Sequence, residues 1–307
     1  PHPSSRDATV GVMRHVDPEL ARYHQDLYAS ALDAGDLLTR CQAALLIAPA
    51  GSYISHFTAA RLQGLRVPDS AAIDVSVLPG RCRVLGAPLA MHRGHPDARV
   101  RRLAGLRVSD PVQVALELAR TLRLPHLVGL FDSIVEEGSV TRADLATAYD
   151  LRPGRLRRFE DALALAVPGV QSLPESLVRV LLVLAGLRDF VVQHPVKDPL
   201  TGATYLLDLA FPRWRVAVEY DGKHHLLPEQ RAADEVRRGR ISELLGWRFV
   251  VVNAEELYGA PGDVLSRAAL AINDQSGVAP RLDPAWRDYF TEHASRHWSP
   301  ESPQPSA

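Results

Sequence analysis

The chain has 307 residues, 46% of them hydrophobic, which is enough for a substantial core and for two domains. A net charge of -1 excludes a basic field over the whole molecule, so any nucleic-acid partner requires a local basic surface. Cys41 and Cys82 are far apart and fit neither a zinc site nor a disulfide framework, which indicates reduced thiols in a cytoplasmic protein. No apolar run reaches membrane-spanning length, so we expect no membrane partner.

The N-terminal half, residues 1–170, is predicted to be a mixed α+β, mainly helical domain. Spaced leucines predict a helix within 17–48, and alternation predicts a strand at 72–78. Asp110 followed by Pro111 is typical of a helix start, with the aspartate as cap and the proline in the first turn. The other predicted elements of this half are a short helix at 56–64, a strand at 87–92, a helix opening at Thr141 and a helix at 155–166.

A stretch with proline, glycine and serine at 167–173 predicts the domain boundary. We therefore predict a C-terminal domain at 171–275 and a tail at 276–307 whose Ser/Pro-rich tip is disordered. The predicted elements are a helix at 174–187, strands at 189–196, 204–211 and 216–221, a helix at 228–245, a strand at 247–252 and a helix at 262–273. Helices that alternate with strands in this way indicate an α/β fold class.

The chemistry is predicted to lie in one β-hairpin. If 212–215 is a four-residue loop, Phe211 pairs with Val216 and Asp208 falls directly opposite Glu219. A three-residue turn would instead place the two acids on opposite faces, unless a bulge restored the register. The other face is expected to be uniformly apolar, formed by Leu207, Leu209, Phe211, Val216, Val218 and Tyr220.

Strand alternation places Asp221 on the same face as Asp208 and Glu219. Clustered carboxylates repel one another, so folding alone gives no reason to gather them. Mg²⁺ or Mn²⁺ gives such a reason, because these hard cations prefer oxygen ligands. Lys223 follows at once and could hold an attacking water or neutralise developing charge. The alternative is a solvated sheet face on which acids are neighbours by chance.

The C-terminal domain resembles the PD-(D/E)XK nuclease superfamily, in the branch of the very-short-patch-repair endonucleases. The resemblance covers residues 172–273 and depends on the order and spacing of short motifs. They are Gln193 with Pro195, Asp208, the Glu-x-Asp-Gly-x-x-His run from Glu219 to His225, Asp234 with Arg237, and Leu-Gly-Trp at 245–247. It implies a restriction-endonuclease-like αβββαβ core that hydrolyses phosphodiester bonds, with DNA as the expected substrate and Mg²⁺ or Mn²⁺ as cofactor.

The resemblance implies that Asp208 and Glu219 are metal ligands and that Asp221 is a third acid at or near the metal. Lysine is usual in the superfamily where Asp221 stands, so the general base could be Lys223 or His225, the latter equally a structural histidine. Two further residues also have structural alternatives. Glu175 matches an acid on the first core helix but also completes a capping box with Ser172, and Gln193 could donate to a phosphate or a carboxylate or be a solvated amide.

The helix after the acids is rich in arginine. Near a nuclease site, these guanidinium groups could contact DNA phosphates, although a charged helix face is more often only solvated. The candidate nucleic-acid contacts are Arg231, Arg237, Arg238 and Arg240.

Residues 45–148 resemble the region that follows the winged helix of AbiEi-type antitoxins and related regulators. The matching pieces are the run at 55–60, Gly64 with Leu65, His92 with Arg93, and the helix start at 109–111. The resemblance implies partner or nucleic-acid recognition by this half. Ser55, His56 and Thr58 lack the elbow and placed acid of a serine hydrolase, so a helix cap is the preferred interpretation.

Together these features predict a two-domain, metal-dependent endonuclease whose N-terminal half selects a substrate or a protein partner. The alternatives are a regulator that keeps a nuclease fold without turnover, and a toxin or defence component held in check by a partner.

Overall fold

A computed structural model describes residues 36–78, 89–151, 154–222 and 228–290, without the side chains of 228–231. The chain has the predicted α/β class, with two mixed sheets between helices. Within the described ranges, no helix combines the length and the apolar character needed to cross a membrane.

The first sheet has strand order β3-β2-β1-β5-β4. Its elements are α1 (Leu37–Ile47), β1 (Tyr53–Ile54), α2 (His56–Leu62), β2 (Ile73–Val77), β3 (Leu89–Arg93), β4 (Val100–Leu103) and β5 (Leu106–Ser109). Four helices follow: α3 (Pro111–Leu118), α4 (Leu124–Glu137), α5 (Arg142–Asp150) and α6 (Arg157–Leu165). The predicted starts of two helices are confirmed, because the side chain of Asp110 accepts from Gln113 N and that of Thr141 from Asp144 N.

Three strands and one long helix of this half were not predicted. The strands β1, β4 and β5 are only two to four residues long, and α4 begins at Leu124 without a side-chain cap. Short strands carry too little alternation to be distinguished from loops, and an uncapped helix lacks its clearest start signal.

The second sheet has strand order β6-β7-β8-β9. Its elements are α7 (Leu173–Leu184), β6 (Val191–Lys197), β7 (Thr204–Phe211), β8 (Val216–Tyr220), α8 (Pro228–Leu245) and β9 (Arg248–Val252), then α9 (Ala254–Gly259), α10 (Pro261–Ser276) and a 3₁₀ turn at Pro284–Asp288. The predicted order helix, three strands, helix, strand is therefore present. The helix α8 connects β8 to β9, which are parallel, whereas β6, β7 and β8 are antiparallel neighbours.

The predicted boundary at 167–173 is crossed by a packed helix pair. Helices α4 and α7 are in contact, and a Cβ added to Gly129 of α4 would lie 2.5 Å from Leu173 Cδ1. The buried carboxylate of Asp132 accepts two bonds from Arg179 Nη2, at 3.0 and 2.9 Å, one from Ser176 Oγ and one from Val167 N, both at 2.8 Å. One hydrophobic core accordingly contains residues from both halves, and the division into two domains stays a prediction.

Candidate active site in the second sheet

The hairpin has the predicted register. Phe211 pairs with Val216 and Leu209 pairs with Val218, so residues 212–215 form a four-residue turn. Arg215 closes the turn with a φ of +50°, and Trp214 N donates to Phe211 O at 3.0 Å. The paired residues end at Leu209 and Val218, so the predicted pairing of Asp208 with Glu219 would come one residue beyond the observed ladder and stays a prediction.

The apolar face differs from the prediction at one residue. Leu209 and Phe211 belong to the main core, but Leu207 packs in a second core with Ala210 and Ala217. The reason is an irregularity at Asp208. The β6–β7 ladder pairs Leu207 and Leu209 but skips Asp208, and the facing Gln193 has a φ of +51°. This irregularity interrupts the alternation of side chains. Both faces of the hairpin are therefore covered, because the second core also contains Ile241 of α8.

Asp208 is partly buried and contacts two donors. Tyr220 N donates to its Oδ2 at 3.0 Å, and Gln193 Nε2 lies 3.5 Å from its Oδ1. Burial and the nearby charges of Glu175 and Glu219 raise the pKa of Asp208 from 3.8 to about 7, although the two donors lower it. At neutral pH, Asp208 is thus poised between its acid and its carboxylate.

Gln193 connects two of the predicted acids. Its Nε2 lies 3.4 Å from Glu175 Oε2 and 3.5 Å from Asp208 Oδ1, both long hydrogen bonds. The positive φ of this residue is rare for a side chain other than glycine, and such strain is often found at functional sites. The sequence motif had singled out Gln193, and the structure brings it together with Glu175 and Asp208.

Glu175 also has a structural role at the start of α7. Ser172 Oγ accepts from Glu175 N at 3.3 Å, as the predicted cap requires. The return bond is different, because the Glu175 carboxylate accepts from Gln171 N and Ser172 Oγ rather than from the cap amide. Glu175 Oε2 accepts from both Gln171 N and Gln193 Nε2, so one carboxylate takes part in the helix cap and also contacts the residue that faces Asp208. Four carboxylates, called the acid cluster below, belong to Glu175, Asp208, Glu219 and Asp221.

Glu219 is the most buried member of the acid cluster, with 5% of its surface exposed. Its Oε2 lies 3.2 Å from Arg237 Nη2 and 3.6 Å from Arg238 Nη1. Its Oε1 is buried and has no hydrogen-bond partner within the described part of the chain. A buried carboxylate oxygen without a donor is costly, on the order of 1–3 kcal/mol or more for a charged group.

Asp221 lies at the end of β8, where its N–H donates to Val252 O at 2.7 Å. The Asp221 side chain is 28% exposed, and its Oδ2 lies 3.8 Å from Arg238 Nη2. Arg238 thus bridges Glu219 and Asp221, which confirms that the two acids lie near each other.

Three of the four predicted nucleic-acid contacts have described side chains. Arg237 contacts Asp234 at 3.6 Å and lies over the ring of Tyr205 at 5.4 Å, besides its bond to Glu219. Arg240 lies 3.5 Å from the buried carboxylate of Asp198 in the β6–β7 turn. Arg238 lines a groove of about 680 Å³ that also contains Arg215 and Arg248.

The remaining predicted residues lie outside the described part of the structure. Lys223 and His225 belong to the stretch at 223–227, and of Arg231 only its place in α8 is described. Their predicted roles as general base and phosphate contact therefore stay predictions.

The carboxylates of the acid cluster fit a hard cation such as Mg²⁺ only in part. Among the described residues, no group of three His, Cys, Asp or Glu side chains is arranged to hold a metal ion. The carboxylates of Glu219 and Asp208 nevertheless fit such an ion. Glu219 Oε1 is a buried oxygen without a donor among the described residues, and Asp208 has a pKa that a nearby cation would lower. Asp221, in contrast, is turned towards Arg238.

The sequence analysis missed a second buried polar cluster, in the first sheet. Ser55 is the cap residue of α2, as the preferred interpretation has it, but its side chain makes no cap hydrogen bond. The helix N–H groups are capped by two distant acids, since Glu117 accepts from His56 N and Asp74 accepts from Thr58 N. Asp74 was the available signal, as the one charged residue in a buried apolar strand.

This chain is similar to two known proteins whose names state no function. No family model matches the chain. Two uncharacterized proteins of Mycobacterium tuberculosis, from strains CDC 1551 / Oshkosh and ATCC 25618 / H37Rv, are each 28% identical to it over 254 residues. The aligned segment covers 81% of this chain and 91% of each relative, so the similarity extends over both halves.

Proposed function

We propose that the protein is an Mg²⁺- or Mn²⁺-dependent endonuclease that hydrolyses phosphodiester bonds of DNA in the cytoplasm. The observation that carries this proposal is the buried Glu219 Oε1, which has no hydrogen-bond partner within the described residues, next to an Asp208 with a raised pKa. Both features cost free energy in the protein alone, and both are relieved by a divalent cation.

In this proposal Asp208 and Glu219 hold the cation, with Asp221 beside them. When bound, the ion supplies Lewis-acid polarisation of the scissile phosphate and lowers the pKa of an attacking water. Tyr220 N and Gln193 Nε2 orient the Asp208 carboxylate, and Arg237 orients Glu219 through its Oε2. Lys223 or His225 is proposed to take the proton of the attacking water.

The arginine-lined groove supports a nucleic-acid substrate. Arg238 contacts two acids of the acid cluster and also lines the groove with Arg215 and Arg248. Guanidinium groups bind phosphate oxygens in a bidentate manner, so this groove suits a phosphate backbone that leads to the acids. The N-terminal half is proposed to select the substrate or a protein partner.

Cleavage of supercoiled plasmid, linear duplex, single-stranded DNA and RNA by the purified protein tests the proposal. We expect DNA cleavage with Mg²⁺ or Mn²⁺ and none with EDTA. Asp208→Asn and Glu219→Gln should each reduce the rate at least about 100-fold, because each loses a ligand to the ion. Asp263→Asn, an exposed acid in the first turn of α10, serves as the matched control and should keep the parent rate.

Cleavage that persists in EDTA, or that Glu219→Gln leaves unchanged, would contradict the proposed metal-dependent endonuclease.

A second candidate function is a regulator that binds nucleic acid without cutting it. The observation that favours this candidate is the pairing of Glu219 and Asp221 with arginines, together with the absence of a three-residue metal group among the described side chains. Retained DNA binding without cleavage by the parent protein would support it.

A further inference from the structure

A cluster of buried polar side chains lies in the first sheet and has no part in the proposed nuclease. Asp74 Oδ1 lies 2.8 Å from His92 Nε2, and the ring of His92 stacks on that of His56 with centroids 3.6 Å apart. His56 N donates to Glu117 Oε2 at 2.9 Å. These residues, His56, Asp74, His92 and Glu117, are called the histidine cluster below.

The two carboxylates of the histidine cluster accept several hydrogen bonds from neighbouring residues. Asp74 Oδ2 accepts from both the N–H and the hydroxyl of Thr58, at 3.1 and 3.0 Å. Glu117 Oε1 accepts from Ser109 Oγ and Gln113 Nε2, both at 3.0 Å, and burial raises its pKa. The histidine cluster therefore needs no metal ion to satisfy its carboxylates, unlike Glu219.

His56 is held in an unusual state. Its φ of +48° is rare for a non-glycine residue, and its Nδ1 lies 3.0 Å from Ser55 Oγ. Burial and the neighbouring His92 lower the pKa of His56 to about 4, so the ring is neutral at pH 7. A neutral imidazole offers a hydrogen bond without adding charge.

Next to the histidine cluster is a cavity of about 330 Å³, which His56 and Glu117 line. Its rim carries the side chains of Arg93 and Arg120, which are exposed and have no ion-pair partner within the described ranges. Tyr53 adds an aromatic wall. This volume is at the lower end of the range of small-molecule sites, enough for a compound of about the size of a mononucleotide.

We propose that this cavity binds a small phosphate monoester. Two arginines at one cavity match the charge of such a group, which is close to −2 at neutral pH, better than they match a monovalent carboxylate. The aromatic and apolar wall suits the organic part of the ligand. The Glu117 carboxylate accepts hydrogen bonds from three donors of the protein and forms no ion pair with either arginine within the described ranges.

Calorimetric titration of the full chain with adenosine monophosphate, phenyl phosphate and inorganic phosphate tests this proposal, with adenosine as the uncharged control. We expect saturable binding of at least one monoester and none of adenosine. Arg93→Gln and Arg120→Gln should each weaken binding about tenfold or more, because each removes a charge-assisted bond. Arg102→Gln, an exposed arginine of β4 that does not line the cavity, should bind like the parent.

Thermal unfolding of each variant without ligand verifies that it is folded, as expected for substitutions at exposed arginines. The proposal is overturned if neither monoester binds at millimolar concentration, even if inorganic phosphate does, or if the cavity variants and Arg102→Gln bind equally. It is also overturned if a DNA duplex displaces the monoester with the same arginine dependence, since the cavity would then contact the nucleic-acid backbone. DNA cleavage is measured separately, so failure here leaves the nuclease proposal standing.

Discussion

Two buried carboxylates in this protein have opposite surroundings. Asp132, between α4 and α7, accepts from Arg179, Ser176 and Val167, so both of its oxygens are satisfied inside the protein. Glu219, in the second sheet, has arginines at one oxygen and no hydrogen-bond partner at the other among the described residues. Both side chains are almost fully buried, so exposure does not explain the difference.

We interpret Asp132 as an acid that stabilises the fold, and we propose that Glu219 is kept for a ligand. Buried polar groups in folded proteins nearly always have partners, so each exception needs an explanation. Asp132 follows this rule, whereas Glu219, judged by the residues that the structure describes, departs from it beside an Asp208 whose pKa is raised. The predictions that follow test this distinction, from the largest expected effect to the smallest.

Asp132→Asn is expected to have the largest effect on stability. The substitution leaves the guanidinium of Arg179 buried without a compensating charge, which costs about 3–5 kcal/mol of unfolding free energy. Urea denaturation measures this loss. Asp150→Asn, at an exposed ion pair with Arg155, is the control and should change the unfolding free energy by less than about 1 kcal/mol.

Glu219→Gln makes the same chemical change at the contrasting acid. We expect a loss of only about 1 kcal/mol in urea denaturation, because Arg237 keeps Asp234 and Arg238 keeps Asp221 as partners. A loss as large as that of Asp132→Asn would show that Glu219 stabilises the fold, and the distinction between the two carboxylates would disappear.

The raised pKa of Asp208 predicts a pH-dependent cost. The folded chain holds this proton up to about pH 7, whereas the unfolded chain releases it near 3.8, so the folded protein loses stability as the pH rises between these values. Asp208→Asn lacks this loss. In EDTA, the variant should therefore gain thermal stability relative to the parent from pH 4.5 to 7 and keep a constant difference above pH 7.5. A difference that does not vary with pH would contradict the pKa shift.

Two glycine substitutions give small expected effects on stability, no larger than that of Glu219→Gln, and the two effects have opposite signs. Gly129→Ala places a methyl group 2.5 Å from Leu173 Cδ1, in the α4–α7 interface that also contains Asp132, and should cost about 1 kcal/mol as the leucine moves. Gly239→Ala, in α8 with no heavy atom of the described residues within 4 Å of the added Cβ, should gain about 0.5–1 kcal/mol from helix propensity. Equal effects of the two substitutions in urea denaturation would show that the α4–α7 interface is looser than described.

The register of the β7–β8 hairpin could be predicted because it depends only on residues that are close together in the sequence. Two residues fix its register, Phe211 and Val216 at the ends of a four-residue turn, and the acids then follow by counting. The break at Asp208 could not be predicted in this way. It depends on the positive φ of Gln193 in another strand, and it moves Leu207 into the second core.

The hydrogen-bond and ion-pair partners of Glu219 and Asp221 could not be predicted from sequence patterns either. Arg237 and Arg238 contact Glu219 and Asp221 across the sheet–helix interface, which no sequence pattern indicated, and their predicted contacts with DNA stay predictions. The histidine cluster was missed for the same reason, because Asp74 and Glu117 meet His92 and His56 only through strand pairing and helix packing. Short strands such as β1 give no periodic signal that could have placed these residues together.

Binding of Mn²⁺ measured by electron paramagnetic resonance tests the central claim most directly. Titration of the parent protein with Mn²⁺ should reduce the signal of the free ion with a stoichiometry of one. Glu219→Gln and Asp208→Asn should each weaken this binding at least tenfold, whereas Asp132→Asn and Asp263→Asn, assayed under conditions where they are folded, should leave it unchanged. Equal Mn²⁺ binding by the parent and Glu219→Gln, or no binding by the parent at millimolar Mn²⁺, would contradict a cation site at Glu219.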